Sequence, residues 1–231
     1  MSLITRPTFN LQFPSYLRKG LVLEFLMNEG EGTVVYDTSG NGNHGEINGA
    51  KWVKLPNGKW VLEFDGVDDY VRVPYSDNLN IVGAITMVAL VKPEKGTGQQ
   101  AIIAPAGIHR MYSLYLRHEA GVDVGARMNI NGTEYYVMTG TVNYGEWNFI
   151  AAVFNGQKWV IYINEWKSPP TVATASYSRQ NGAIYIGWCG DLFPPKYFNG
   201  LIAFVHIYNR ALTESKIKTL YEMAKKLVPL G

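Results

Sequence analysis

The run Trp147-Asn148-Phe149-Ile150-Ala151-Ala152-Val153-Phe154-Asn155-Gly156-Gln157-Lys158-Trp159-Val160-Ile161-Tyr162-Ile163 decides the fold class. Two arms rich in β-branched and aromatic residues flank Asn155-Gly156, and Asn-Gly accepts the positive φ angles of a tight primed turn. The pattern predicts a hairpin pairing residues 147–154 with residues 158–163. In the first arm Phe149, Ile150, Ala151, Ala152 and Val153 follow one another without a polar break, so both strand faces are apolar. Such a strand belongs in the middle of a sheet that is covered on each side.

The same texture extends outward. From Leu21 onward, short runs of Val, Ile, Tyr, Phe and Trp alternate with Gly, Asn, Asp and Pro. Examples are residues 21–26, 60–65, 70–75, 85–92, 112–117 and 184–188. Strands at this spacing, bounded by turn residues, predict an all-β antiparallel sandwich. One short helix is expected near the C-terminus, with Thr213 as its cap, Glu214 in the positive first turn and Lys225 and Lys226 at the negative end. Ile217, Leu220, Tyr221 and Ala224 form its apolar face. No repeat, linker or composition shift divides residues 21–231, which read as one domain. Residues 1–20 carry Pro7 and Pro14 among polar residues and read as an extended arm. A polar, proline-bearing terminus is ordered by docking, here either on its own sandwich or on a partner or second copy, which would make the arm an assembly device.

Hydrophobic residues make up 47% of the chain and charged residues 17%, enough apolar surface for a sizeable core and too little charge for disorder. The net charge of +2 and the scattered basic residues provide no field to hold a polyanion, so nucleic acid is excluded as a partner. Arg18-Lys19 and Lys225-Lys226 read as solvated ends of elements. Cys189 is the single cysteine, so neither an intrachain disulfide nor a thiolate metal cluster is available. The apolar runs are strand-sized, and no membrane insertion is expected. Residues 1–20 lack the charged start, apolar core and cleavage site of a signal peptide, so the expectation is a protein acting in the cytoplasm or carried on a virion or other assembled particle.

Three glycine-rich stretches occur in order: Glu29-Gly30-Glu31-Gly32; Asp37-Thr38-Ser39-Gly40-Asn41-Gly42-Asn43-His44-Gly45; and Phe64-Asp65-Gly66-Val67-Asp68-Asp69-Tyr70-Val71. Trp147 with Ala151, the Tyr162-Ile163-Asn164 step, and Phe198-Asn199-Gly200 followed by Ile207-Tyr208-Asn209-Arg210-Ala211-Leu212 continue the series. Over about residues 21–222 the chain resembles the laminin-G-like, concanavalin A-like jelly-roll family. That resemblance implies a binding domain. It also marks two departures. Where the family has Asp-Glu after the residue matching Ile202, near its calcium, this chain has Ala203 and Phe204. The glycine that follows the Asn164 step is replaced by Glu165, which should widen that turn.

Residues 37–45 predict a compact loop, because Gly permits tight turns and Asn and Asp bond their own backbone. Asp37, Asn41 and Asn43 could offer hard oxygen ligands to Ca2+, or the loop could be self-bonded. Sandwiches of this architecture also include glycosidases that place two carboxylates on one strand as Glu-x-Asp-x-x-Glu. The nearest string, Glu63-Phe64-Asp65-Gly66-Val67-Asp68, ends in Asp and has Gly66 where the strand must continue, so catalysis is disfavoured. No zinc-protease helix, Walker loop, nucleophile elbow or dinucleotide fingerprint is present. Among the tryptophans, Trp147 and Trp159 are assigned to packing. Trp166 and Trp188 fall where strands run into loops, and Trp188 is followed by Asp191, Phe193 and Tyr197, a combination of flat aromatics and a hydroxyl acceptor that suits a sugar ring or a protein surface. The sequence thus points to a non-catalytic module that recognises glycans or mediates surface adhesion. A virion decoration protein using the sandwich as a knob is the alternative, with a glycoside hydrolase or lyase behind it.

Overall fold

The computed structural model describes residues 14–96, 98–105, 111–118, 123–176, 182–190 and 196–230, and in it two large antiparallel sheets face one another. The first runs, edge to edge, Trp166–Lys167, Trp159–Ile163, Asn148–Phe154, Ile85–Pro93, Asn199–Tyr208, Trp60–Asp65 and Lys51–Lys54, with Leu21–Phe25 also paired to Asn199–Tyr208. The second runs Ala173–Ser176, Thr133–Thr141, Asp123–Ile130, Tyr112–Arg117, Gln99–Pro105, Ile184–Ile186, Tyr70–Val73, Gly45–Asn48 and Val34–Val35. A small ribbon, Trp188–Cys189 with Lys196–Tyr197, stands apart from both.

The strand Asn148–Phe154 shows why both its faces are apolar. Ile150, Ala152 and Phe154 enter the layer between the sheets, with Trp159, Ile103, Leu114 and Ile186. Phe149, Ala151 and Val153 enter a second layer, where the helix Glu214–Leu227 lies against the back of the first sheet and contributes Ile217, Leu220, Ala224 and Leu227. The alternation of a strand divides one sequence run between two cores. Ala203 and Phe204 are 0% and 1% exposed in this second layer, because a bulge between Ile202 and Phe204 turns both outward beneath the helix.

The turns separate three chemistries that look alike in sequence. In the expected hairpin, Phe154 pairs with Trp159, and only Gly156 is left-handed, at φ 97°; the Asn155 side chain instead accepts the amides of Gln157 and Lys158 at 3.0 and 2.9 Å. The turn with left-handed residues at both centres is Asn131-Gly132, φ 50° and 85°, joining Ile130 to Thr133. The Asn164-Glu165 turn is not widened: Ile163 pairs directly with Trp166, and Asn164 takes φ 51° while its Oδ1 accepts the Phe149 amide at 2.9 Å. Asn164 alone takes the left-handed conformation, which asparagine tolerates, and Glu165 is not left-handed, so the turn closes without the family's glycine.

The helix begins and ends as its charges imply, with Thr213 at the cap position, although the Thr213 hydroxyl sits 3.0 Å from Ser215 Oγ and caps no amide. Residues 14–20 depart from the extended arm. Ser15–Arg18 is a single helical turn, Leu17 is buried in the layer beneath the helix, and Arg18 donates to the Thr38 carbonyl and to Glu24. This part of the arm contacts its own sandwich; the rest of the arm expected over residues 1–20, residues 1–13, lies outside the described residues. Among the described residues no helix is long and apolar enough to cross a membrane.

His206 is fully buried on the strand Asn199–Tyr208, stacked on Phe204, with Nε2 4.0 Å from Glu24 Oε1. Burial lowers its pKa from 6.5 to about 4, against a smaller opposing pull from Glu24. On acidification the unfolded chain therefore takes up the proton first, so stability is lost as pH falls through 6.5 toward 4, by on the order of 3 kcal/mol. Urea melts across that range should show this loss for the native chain, and His206→Gln should flatten it.

Candidate functional site

The loop 37–45 closes on itself. Asp37 Oδ1 accepts the Glu24 and Ser39 amides, both at 2.9 Å, while Oδ2 accepts Ser39 Oγ at 2.8 Å and the Asn43 amide at 2.9 Å. Asn43 Nδ2 donates to the Val22 carbonyl and to Asn78, and Asn43 Oδ1 accepts Ser76 Oγ at 2.6 Å. Asn41 Nδ2 donates to the Leu21 carbonyl and Ser39 Oγ. A cation needs free oxygen lone pairs, and both oxygens of the Asp37 carboxylate are already taken by donors. With Ala203 and Phe204 buried where the family carries carboxylates, the donor set at Asp37, Asn41 and Asn43 does not fit calcium. Asp37→Ala, which orphans three amides, should therefore lower the melting temperature by roughly 5–10 °C, equally in millimolar calcium and in EDTA. A calcium-dependent difference in the native chain would contradict this.

Trp188 owes its position to a backbone break. The strand expected over residues 184–188 ends at Ile186, and Gly187, at φ 88°, turns the chain off the sheet; a Cβ there would lie 2.6 Å from the Phe64 ring. Trp188 then pairs with Tyr197 in the small ribbon and meets three tyrosines. Its ring lies 6.1 Å from Tyr197 at an interplanar angle of 23°, 5.6 Å from Tyr70 at 32°, and 4.5 Å from Tyr185 edge-on. All four rings are half-buried, and Trp188 Nε1 has no partner among the described residues. Arg72, opposite Tyr185 in the sheet register, is held by Glu46 at 3.1 Å and by the Tyr185 hydroxyl. Burial raises the Tyr197 hydroxyl pKa, with the Asp68 carboxylate and Tyr70 adding to it. The result is a cluster of flat apolar rings edged by a carboxylate, a guanidinium and phenolic hydroxyls.

The structure brings together Trp188 and Tyr197 but not Trp166. Trp166 is 44% exposed on the edge strand of the first sheet, where it packs over Gly140 on the strand Thr133–Thr141. That strand lies four steps along the second sheet from Ile184–Ile186, on the order of 20 Å, so Trp166 and Trp188 do not share a rim. Asp191 and Phe193 lie outside the described residues. Trp147 and Trp159 are buried, as assigned. Tyr70, Arg72, Tyr185 and Asp68 were missed by sequence reasoning; the alternation of Tyr70-Val71-Arg72-Val73 and Ile184-Tyr185-Ile186, with valines and isoleucines inward, carries the signal for the first three.

The string at Glu63 behaves as its glycine requires. The strand Trp60–Asp65 ends before Gly66, at φ 78°, and Asp68 sits in the turn beyond. Asp65, Asp68 and Asp69 bring carboxylate oxygens within 4.8 Å of one another, but they also bond the turn itself, Asp69 Oδ2 accepting the Asp65 amide and Asp65 Oδ1 the Val67 amide.

Two facing antiparallel sheets, with a helix on the back of one and aromatics on the outer side of the other, define a jelly-roll sandwich of the concanavalin A-like class. The chain belongs to the concanavalin A-like lectin/glucanases superfamily, whose Laminin_G_3 model matches residues 65–218. No curated protein matches it in sequence. Among solved structures, the binding domain of botulinum neurotoxin DC, in complex with rat synaptotagmin II, aligns over 90% of this chain at a TM-score of 0.65 and 14% identity; the chain spans about half of it, 52%. Domain 4 of the extracellular arabinanase AbnA from Geobacillus stearothermophilus, in complex with arabinotriose, aligns over 87% of this chain and 98% of its own length at a TM-score of 0.65 and 17% identity. Trypanosoma rangeli sialidase aligns over 91% of this chain and 34% of its own at 0.64 and 18% identity. At these identities the likeness is one of fold.

Proposed function

We propose that the chain is a non-catalytic glycan-binding module whose ligand stacks on the platform of Tyr70, Tyr185, Trp188 and Tyr197. The observation that carries this reading is that these four rings cluster on the outer side of the second sheet, half-buried, beside Asp68 and Arg72. Aromatic faces meet the C–H faces of a sugar ring while carboxylate and guanidinium meet its hydroxyls. Domain 4 of the arabinanase, solved in complex with arabinotriose, supports it, as does botulinum neurotoxin type C, whose cell entry depends on interaction with two ganglioside molecules and about half of whose chain aligns with this one. The absence of catalysis is part of the proposal, supported by the end of the Glu63 strand at Asp65. The test is retention on a panel of immobilised glycans, with the double variant Tyr185→Ala, Trp188→Ala as the expected loss. Release of reducing sugar from any retained glycan, abolished by Glu63→Gln, would replace this reading with a hydrolase.

A further inference from the structure

A cleft of ≈ 460 Å³ opens at the edge of the second sheet, between the glycine loop and the segment Pro74 to Ser76. We infer that this cleft, flanked by Tyr36 and Tyr75, is a second saccharide subsite, and that the ligand is an extended neutral polysaccharide chain instead of a terminal sugar. The inference rests on the glycan-binding reading of the platform.

The cleft is built and held open. Tyr36 and Tyr75 are 48% and 44% exposed, large rings left uncovered in a chain that buries most of its strand aromatics. His44 Nδ1 accepts the Asp37 amide at 3.0 Å, which fixes the proton on Nε2 and makes the exposed ring an oriented donor; the ring stands edge-on to Tyr36 at 5.4 Å. Ser76 Oγ donates to Asn43 Oδ1 at 2.6 Å and ties one wall to the other, and Tyr75 Oη donates to Asp77 at 2.8 Å. Beneath the cleft Gly45 faces inward, where a Cβ would lie 2.4 Å from Val71 Cγ1 and 2.9 Å from the Phe25 ring in the core, so glycine lets this strand seat closely on the sandwich. Walls tied in this way reduce the ordering cost of a bound ligand. The volume falls within the range of about 300–1,000 Å³ usual for small-ligand sites.

Charge and register decide the ligand class. The carboxylate lining the cleft is Glu46, and its charge is met by Arg72 at 3.1 Å, so the lining favours hydroxyls over ions. Glu46 lies opposite Arg72, and Arg72 opposite Tyr185, in adjacent strands. The cleft and the platform therefore share one face of the second sheet: Glu46 and Tyr185 stand two strand steps, or about 10 Å, apart, and Tyr75 lies five residues, on the order of 15 Å, along the chain from Tyr70. A single sugar ring cannot touch both; a chain of several units lying across the strands can.

The experiment is isothermal titration of the whole chain with neutral oligosaccharides of two to six units from arabinan, xylan, cellulose and starch. For the series that binds, affinity should rise roughly 10-fold between the short and the long members, as contacts at a second subsite are added. Tyr36→Ala and Tyr75→Ala should abolish that rise while leaving the shortest bound member within about two-fold of the native chain, whereas Tyr185→Ala should weaken both. Because both cleft tyrosines are exposed, their variants should melt with the native chain. Hexamers bound no more tightly than trimers, or hexamers bound equally by the Tyr36 and Tyr75 variants, would overturn the second subsite and leave the platform standing. Failure of the native chain to bind any member would overturn both.

Discussion

Replacing Phe204 by glutamate should unfold the protein, even though glutamate is one of the residues the family carries there. Phe204 is 1% exposed and packs edge-on to Phe149 at 6.4 Å and against His206 at 4.7 Å, beneath the helix that closes the back of the first sheet. Removing the ring alone, as in Phe204→Ala, should cost about 3–5 kcal/mol. A carboxylate in the same place adds the cost of burying a charge beside His206, a base that burial keeps neutral near pH 7, several kcal/mol more. The sum approaches the whole stability of an ordinary domain, about 5–15 kcal/mol. Phe204→Glu should give no cooperative melt, and calcium should not restore one; Phe204→Ala should melt well below the native chain with its sheet spectrum intact. In this chain Ala203 and Phe204 form part of the surface on which the helix packs.

That exchange was half legible in sequence. Ala203 and Phe204 could be seen to depart from the family, but the bulge that points both toward the helix depends on the partner strand, and no local pattern announces it. The hairpin at Trp147, the helix and the buried tryptophans were readable because each rests on periodicity or turn chemistry confined to its own segment. The Asn131-Gly132 turn is equally local, yet it reads as a glycosylation sequon as readily as a primed turn until the strands beside it are paired. The platform was legible only in part. Tyr185, Trp188 and Tyr197 are near in sequence, but Tyr70 joins them through strand pairing, which sequence spacing does not record. Trp166 was misplaced for the same reason: its neighbours in space come from the edges of two sheets.

Truncating the platform should abolish glycan retention with little change in fold. Each aromatic contact contributes about 0.5–1.5 kcal/mol beyond the area it buries, so losing two rings should weaken binding by roughly 10- to 100-fold. Tyr185 stands on the outer face of its strand between the buried Ile184 and Ile186, and Trp188 lies on the ribbon outside both large sheets, so neither is a core residue. The double variant Tyr185→Ala, Trp188→Ala should keep the β-sheet spectrum and a cooperative melt. Trp188→Phe, which keeps a flat ring and removes an indole N–H with no partner among the described residues, should bind more nearly like the native chain.

The most direct measurement is a calorimetric titration of the native chain and of the double variant, side by side, with the most strongly retained glycan of the panel. The expected result is a saturable isotherm for the native chain and at least a 10-fold weaker one for the variant at unchanged melting temperature. Equal affinities for the two proteins, with the fold intact in both, would contradict the platform as the ligand site.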